Sequence, residues 1–183
     1  MAKKLKIAVV GLGRIGWVFH FKQAQQSPLF DLIAAVDPLE ERLQEAREAA
    51  GCRTYRTYEE LWKNERPDVV AIATPTKLHE RMTIEAMRAG CHVVLEKPMT
   101  TSLRSADRML EESRKQKRRI FVYQPHRLTA ETQTAKEIID SGVLGPIFLI
   151  RRAACRYMRR YDWQSLRKNA GGMLNTTAHT TWI

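Results

Sequence analysis

The sequence predicts an α/β fold in which helices cover both faces of a doubly wound parallel sheet. Strand-like and helix-like segments alternate from Leu5 to Tyr123, and such alternation is typical of parallel strands joined by right-handed crossovers. After Tyr123 the alternation stops and a basic, aromatic tail follows. We therefore expect a complete domain over residues 1–124, and the incomplete start of an α+β second domain over residues 125–183.

Each predicted element has a local signal. Apolar runs predict strands, residues at helical spacing predict helices, and Gly51, Gly90 and Ser141-Gly142 mark helix ends. Ser102 can cap the fifth helix. The predicted strands are 5–10, 31–36, 52–55, 68–73, 91–95 and 120–123, with a further strand at 147–152. The predicted helices are 17–26, 39–50, 58–64, 76–89, 102–117 and 129–140.

A glycine-rich segment joins the first strand to the first helix. This glycine loop consists of Gly11, Leu12, Gly13, Arg14, Ile15 and Gly16. Such a loop lets backbone N–H groups approach a pyrophosphate at a helix N-terminus. The motif alone is weak evidence, because a tight turn also needs small residues. However, the second strand ends in Asp37, 21 residues beyond Gly16, where an acid would bind the adenosine ribose hydroxyls. Together the two signals predict a Rossmann-type dinucleotide site.

The acid also predicts which dinucleotide is bound. A carboxylate at Asp37 would repel the 2′-phosphate that NADP carries and NAD lacks. Pro38 follows it and supplies no cation. Arg42 and Arg47 lie further along the next helix and could bind a 2′-phosphate only by reaching back. We therefore expect NAD rather than NADP.

Net charge and cysteine content restrict the remaining classes of function. The formal net charge of the 183 residues is +11, and much of it lies in 114–119 and 151–168, with aromatic residues near the second run. Nucleic-acid binding rests on this charge alone, so we favour solvated helix ends and an anionic ligand surface.

No apolar run is long enough to span a membrane. Cys52, Cys91 and Cys155 lack metal-ligand spacing, which predicts free thiols, no metal site and a cytoplasmic location.

With these residues in view, the chain resembles the Gfo/Idh/MocA family of oxidoreductases (glucose–fructose oxidoreductase, inositol dehydrogenase and rhizopine catabolism proteins). The most specific mark is the Glu96-Lys97-Pro98 triplet at the end of the fifth strand. The other marks are GLGRIG at 11–16, AAVDP at 34–38, ATPTKLH at 73–79, EKPM at 96–99, DSGVLGPI at 140–147, DWQSL at 162–166 and AGGML at 170–174. The resemblance extends to about Asn175.

The resemblance implies hydride transfer between a nicotinamide cofactor and a carbinol carbon of a sugar, inositol or related polyol. It implies that the glycine loop and Asp37 hold the adenosine and pyrophosphate. It implies that Glu96 and Lys97 lie beside the nicotinamide, and Lys97 is also the implied catalytic residue, since its ammonium can hydrogen-bond the reacting hydroxyl. The other residues that the resemblance places in the site are Thr74, Pro75 and His79 along the cofactor, and Arg127 and Trp163 on the substrate side.

The end of the chain departs from the family pattern. The family normally continues from the glycine pair, here Gly171-Gly172, to a catalytic histidine that a glycine precedes. His179 is one residue short of that spacing, and a single-base deletion near codon 176 would explain the altered ending. On that hypothesis the substrate domain is truncated, activity is impaired, and exposed apolar surface favours self-association into a homo-oligomer. The alternative is a non-catalytic NAD-binding module.

Overall fold

The computed structural model describes residues 3–151, 153 and 165–166. Trp163 and the glycine pair with the following tail lie outside the described residues. The chain divides into two compact units, Met1–Tyr123 and Gln124–Ile183. The residues named so far as cofactor ligands all belong to the first unit.

The first unit contains a six-stranded sheet whose neighbouring strands all pair in parallel. The strand order is β3-β2-β1-β4-β5-β6, so the order reverses between β1 and β4. Crevices beside such a reversal, at the carboxyl ends of the strands, are where open α/β sheets bind ligands. The strands are β1 (Leu5–Val10), β2 (Phe30–Val36), β3 (Arg53–Tyr55), β4 (Val69–Ile72), β5 (His92–Glu96) and β6 (Ile120–Tyr123).

Helices connect successive strands. A π-helical turn, Gly16–Phe21, runs directly into α1, and a short 3₁₀ turn, Thr76–Leu78, precedes α4. The helices of the first unit are α1 (Lys22–Gln26), α2 (Glu40–Ala50), α3 (Tyr58–Asn64), α4 (His79–Arg88) and α5 (Leu103–Gln116). α3 begins with a capping box in which the Thr57 hydroxyl accepts from the Glu60 N–H. Ser102 stands at the N-cap of α5, but its side chain makes no capping hydrogen bond.

Alternate residues of the central strands face two separate hydrophobic clusters. In β1, Ile7 and Val9 pack toward Phe21 and Leu43, on the side covered by α1 and α2. Ala8 and Val10 belong to the other cluster, whose helical members are Tyr58, Leu61, Met82, Ala86, Met87 and Met109 of α3, α4 and α5. Because β4 and the last four residues of β1 are buried on both faces, these segments are continuous apolar runs. This packing fixes the carboxyl ends of the strands, where the candidate site lies.

The second unit begins with a 3₁₀ turn, Pro125–Leu128, and α6, Ala130–Asp140. The strand predicted at 147–152 is wrong as far as the structure describes it, because residues 147–151 form no strand. A strand needs a neighbour to satisfy its backbone N–H and C=O groups, and none pairs with this segment among the described residues. Phe148 in this segment is 96% exposed.

Candidate functional site

Two glycines of the loop allow close packing of the backbone. Gly11 has φ 90°, which an L side chain rarely adopts. A Cβ at Gly11 would also lie 2.7 Å from the carbonyl oxygen of Ala73, which follows β4. At Gly16 a Cβ would overlap the carbonyl oxygen of Gly11 itself. These two positions therefore need glycine to bring the helix, the loop and β4 together.

Gly13 is different because its surroundings are open. The nearest atom that an added Cβ would meet is the Arg42 Nη1, 3.9 Å away. The chain becomes helical at the following residue, Arg14, and the first N–H groups of a helix have no partner within it. An anion can therefore approach this end of the helix and the loop backbone. In a dinucleotide-binding loop the first glycine makes the tight turn, the second lets the backbone approach the pyrophosphate, and the third lets the helix pack against the strand. Gly11, Gly13 and Gly16 match these three roles in order.

Asp37 follows β2 and is 2% exposed. Its Oδ2 accepts a 2.7 Å hydrogen bond from the Leu12 N–H of the glycine loop. Its Oδ1 accepts from the Leu39 N–H at 3.0 Å, and the Arg42 Nη1 lies 3.2 Å from Oδ2. The carboxylate is thus fixed beside the loop, and its binding of the adenosine ribose stays a prediction.

The segment after β4 is tied to the segment after β5 by His79. The His79 Nε2 lies 2.8 Å from the Thr74 carbonyl oxygen, and Nδ1 lies 3.0 Å from that of Pro98. The side chain is 1% exposed, and burial lowers the pKa of this imidazole although the neighbouring carbonyls favour the proton. Neutral imidazole carries one N–H, so it donates to one of these carbonyls at a time. His79 is placed to hold two site loops together, and its contact with the cofactor stays a prediction.

Thr76 is a candidate site residue that the sequence analysis did not single out. It is 5% exposed, and its hydroxyl has no hydrogen-bond partner among the described residues. Thr74 and Pro75, which were predicted, precede it directly. Buried hydroxyls are normally paired, so an unpaired one in this loop is an observation that fits a bound polar group. Nothing in the sequence distinguishes this threonine from a solvent-exposed one.

Glu96 and His20 form a buried pair at the carboxyl end of β5. The His20 Nε2 lies 2.9 Å from the Glu96 Oε1, and the imidazole packs edge-on against Tyr123 at 4.9 Å. Glu96 Oε2 accepts from the backbone N–H of Lys97 at 3.1 Å. Lys97 is half-buried at this edge. The π-helical turn that carries His20 thereby contacts the residue immediately before the predicted catalytic lysine.

The predicted roles of Arg127 and Trp163 toward the substrate stay predictions. Arg127 belongs to the second unit, where its Nε donates to Gln124 Oε1 at 3.2 Å. Trp163 lies outside the described residues. Among the described residues, no group of three or more His, Cys, Asp or Glu side chains could hold a metal ion. No described helix is both long and apolar enough to cross a membrane.

Three features together define a dinucleotide-binding Rossmann domain. They are the strand order of the parallel sheet, the glycine loop at the point where that order reverses, and the buried carboxylate after β2. The profile described as "Oxidoreductase family, NAD-binding Rossmann fold" (Gfo/Idh/MocA) matches residues 5–124. The chain belongs to this family, and its first unit is the family's NAD-binding domain. The family resemblance, the fold class and NAD as the cofactor, all expected from the sequence, are confirmed, whereas the division at residue 124 stays a prediction.

Three relatives show the extent of the similarity. The myo-inositol 2-dehydrogenase of Thermotoga maritima is 31% identical over 148 residues, covering 80% of this chain and 44% of the relative. A crystal structure of an NAD-binding protein from Listeria innocua has a TM-score of 0.87 and 28% identity, covering 97% and 52%. The WlbA dehydrogenase from Bordetella pertussis, solved with NADH and UDP-GlcNAcA, has a TM-score of 0.73 and 33% identity, covering 78% and 44%. The chain thus spans about half the length of these relatives.

Proposed function

We propose that this chain serves NAD-dependent oxidation of a sugar, inositol or related polyol. The observation that carries the proposal is the arrangement of Asp37, the glycine loop and the Glu96-Lys97 pair along one edge of one sheet. Glu96 is held by His20 at 2.9 Å, and the loops after β4 and β5 are joined through His79. A relative named as a myo-inositol 2-dehydrogenase and a dehydrogenase solved with UDP-GlcNAcA support the substrate class.

The residues divide the work between binding and chemistry. The nicotinamide supplies the hydride acceptor when NAD is bound. Gly13 and the helix N-terminus would hold the pyrophosphate, and Asp37 the adenosine ribose. Lys97 would hydrogen-bond the reacting hydroxyl, stabilise its oxyanion character as hydride leaves the carbon that bears it, and pass the released hydroxyl proton on to solvent. Glu96 would fix the backbone at Lys97 through the hydrogen bond that its Oε2 accepts from the Lys97 N–H.

The second unit has its own place in this proposal. We infer that residues 125–183 open the substrate domain, with Arg127 facing an anionic or hydroxyl-rich substrate. This assignment rests on the change of pattern after Tyr123 and on the family resemblance of residues 140–147. The compact unit Gln124–Ile183 begins at nearly the same point.

Replacing Lys97 by alanine tests the catalytic assignment. We expect Lys97→Ala to lower the rate of NAD reduction with the best polyol by about 100-fold or more, because acid–base and oxyanion assistance are lost. NADH affinity, measured by fluorescence titration, should change by less than about threefold, since the glycine loop and Asp37 are unchanged. Lys63→Ala, an exposed lysine of α3, is the matched control and should keep full activity.

The possible outcomes separate the competing functions. Equal activity of Lys97→Ala and the parent chain would refute the role of the lysine. NADH binding without turnover of any polyol would favour the non-catalytic NAD-binding module. An absence of NADH binding would contradict both.

A further inference from the structure

Arg42 reaches the carboxylate on which the NAD preference depends. Its Nη1 lies 3.2 Å from Oδ2 and 3.4 Å from Oδ1 of Asp37. The Arg42 side chain is 40% exposed, whereas that of Asp37 is 2% exposed. The guanidinium therefore covers the solvent side of the buried carboxylate. A ribose entering from solvent must meet both groups.

Two neighbouring arginines, Arg47 and Arg56, bind groups other than Asp37. Arg47 donates to Thr54 Oγ1 at 2.5 Å and to Glu40 Oε1 at 2.6 Å. Arg56 pairs with the other oxygen of Glu40 at 3.2 Å. Glu40 thus holds two of these three guanidinium groups on the surface of α2, and Arg42 is the member of the three that faces Asp37.

The hydrogen bonds of Asp37 leave room for either form of the ribose. Its two oxygens offer about four lone-pair positions. The N–H groups of Leu12 and Leu39 occupy one on each oxygen, and the Arg42 Nη1 contacts both oxygens as well. A ribose 2′-hydroxyl can donate to the carboxylate when the guanidinium gives up one of its two contacts, the longer of which is 3.4 Å. A 2′-phosphate would be repelled by the carboxylate alone, but it would find the Arg42 guanidinium 3.2 Å from that carboxylate. Guanidinium groups bind phosphate through charge-assisted, bidentate hydrogen bonds.

We propose that Arg42 determines how strongly this site discriminates between NAD and NADP. With NAD bound, the guanidinium keeps its ion pair with Asp37 through one oxygen and leaves a position on the other oxygen to the ribose hydroxyl. With NADP bound, the guanidinium turns to the 2′-phosphate, so the chain still prefers NAD but accepts NADP. This inference rests on the proposed function, because it requires the adenosine ribose to lie at Asp37.

Calorimetric titration of the chain with NADH and with NADPH tests the inference without any need for turnover. In the parent chain we expect the Kd for NADPH to lie within about 100-fold of that for NADH, since one charge-assisted contact offsets the repulsion. Arg42→Gln should weaken NADPH binding by about tenfold or more and change NADH binding by less than about threefold. Arg47→Gln, whose guanidinium binds Glu40 and Thr54, is the control and should leave both affinities unchanged.

Three results would overturn the inference. NADPH binding too weak to detect beside clear NADH binding would show that Arg42 does not offset Asp37. Equal weakening of both dinucleotides by Arg42→Gln would place the guanidinium on the pyrophosphate or adenine instead. If neither dinucleotide binds the parent chain, the proposed function fails together with the inference, whereas the first two results leave that function intact.

Discussion

Gly13 and Gly16 lie three residues apart, yet a methyl group at each would meet very different surroundings. At Gly16 the added Cβ would overlap the Gly11 carbonyl oxygen, which is part of the fixed turn after β1. At Gly13 the nearest atom is the end of the flexible Arg42 side chain, at 3.9 Å. One glycine is needed by the fold, and the other leaves space that the fold itself does not fill.

Alanine substitutions separate these two requirements. We expect Gly16→Ala to cost of order 4 kcal/mol or more in the free energy of unfolding, because backbone must move. Gly13→Ala should change that free energy by less than about 1 kcal/mol. Its methyl group should nevertheless weaken NADH binding about tenfold or more by keeping the pyrophosphate from the loop N–H groups. Urea denaturation and NADH titration measure the two effects.

Gly142→Ala provides a control for loss of glycine away from the site, since its Cβ would meet nothing within 4 Å. It should leave NADH binding unchanged, although its φ of 71° costs some stability. If Gly13→Ala bound NADH as tightly as the parent chain, the pyrophosphate would not lie at this loop.

The sequence predicts some site residues better than others, and the reason is physical. Asp37 follows from its distance to the glycine loop, because a βαβ unit has a nearly fixed length. Thr76 does not, since the burial of its hydroxyl depends on the packing of three segments. The contact between His20 and Glu96 joins residues 76 positions apart, and no local pattern encodes it.

At the scale of elements, His79 at the start of α4 connects the loops that follow β4 and β5. Its pKa is lowered by burial, whereas in the unfolded chain it is about 6.5. As the pH falls through about 6.5, the unfolded chain therefore takes up a proton before the folded chain does. The neutral imidazole thus contributes stability that is complete above this pH and is lost as the pH falls below it.

We expect the melting temperature to fall between pH 7.5 and pH 5.5, and to fall less in His79→Gln, which cannot take up this proton. Differential scanning fluorimetry at the two pH values measures the effect. His126→Gln, an exposed histidine of the second unit, is the matched control and should keep the acid sensitivity of the parent chain. Full acid sensitivity in His79→Gln would show that other groups cause it.

The boundaries of helices and strands were predictable from sequence where residues at the boundary mark them. They were not predictable where a segment becomes a strand only by pairing with a neighbouring strand. β1, α3 and β6 match their predicted residues, because apolar runs and turn residues bound them. The π-helical turn at Gly16–Phe21 was missed, since the apolar spacing there predicts only a helix. The strand at 147–152 was predicted from its apolar composition, but composition supplies no neighbouring strand.

At the scale of the whole molecule, one sheet provides both the platform and the position of the site. The reversal of strand order between β1 and β4 brings the glycine loop beside the loop after β4. The neighbouring strands β2 and β5 bring Asp37 and Glu96-Lys97 to the same edge. This arrangement follows from right-handed crossovers in a parallel sheet, which is why the fold class was predictable from alternation alone.

The central claim is that this edge of the first unit binds NAD, and calorimetric titration of the parent chain and Asp37→Ala with NADH tests it most directly. We predict saturable binding of about one NADH per chain that NAD competes away, and clearly weaker binding in Asp37→Ala because the ribose hydroxyls lose their acceptor. Heat changes that never saturate in a folded parent chain, or equal affinity in Asp37→Ala, would contradict the account.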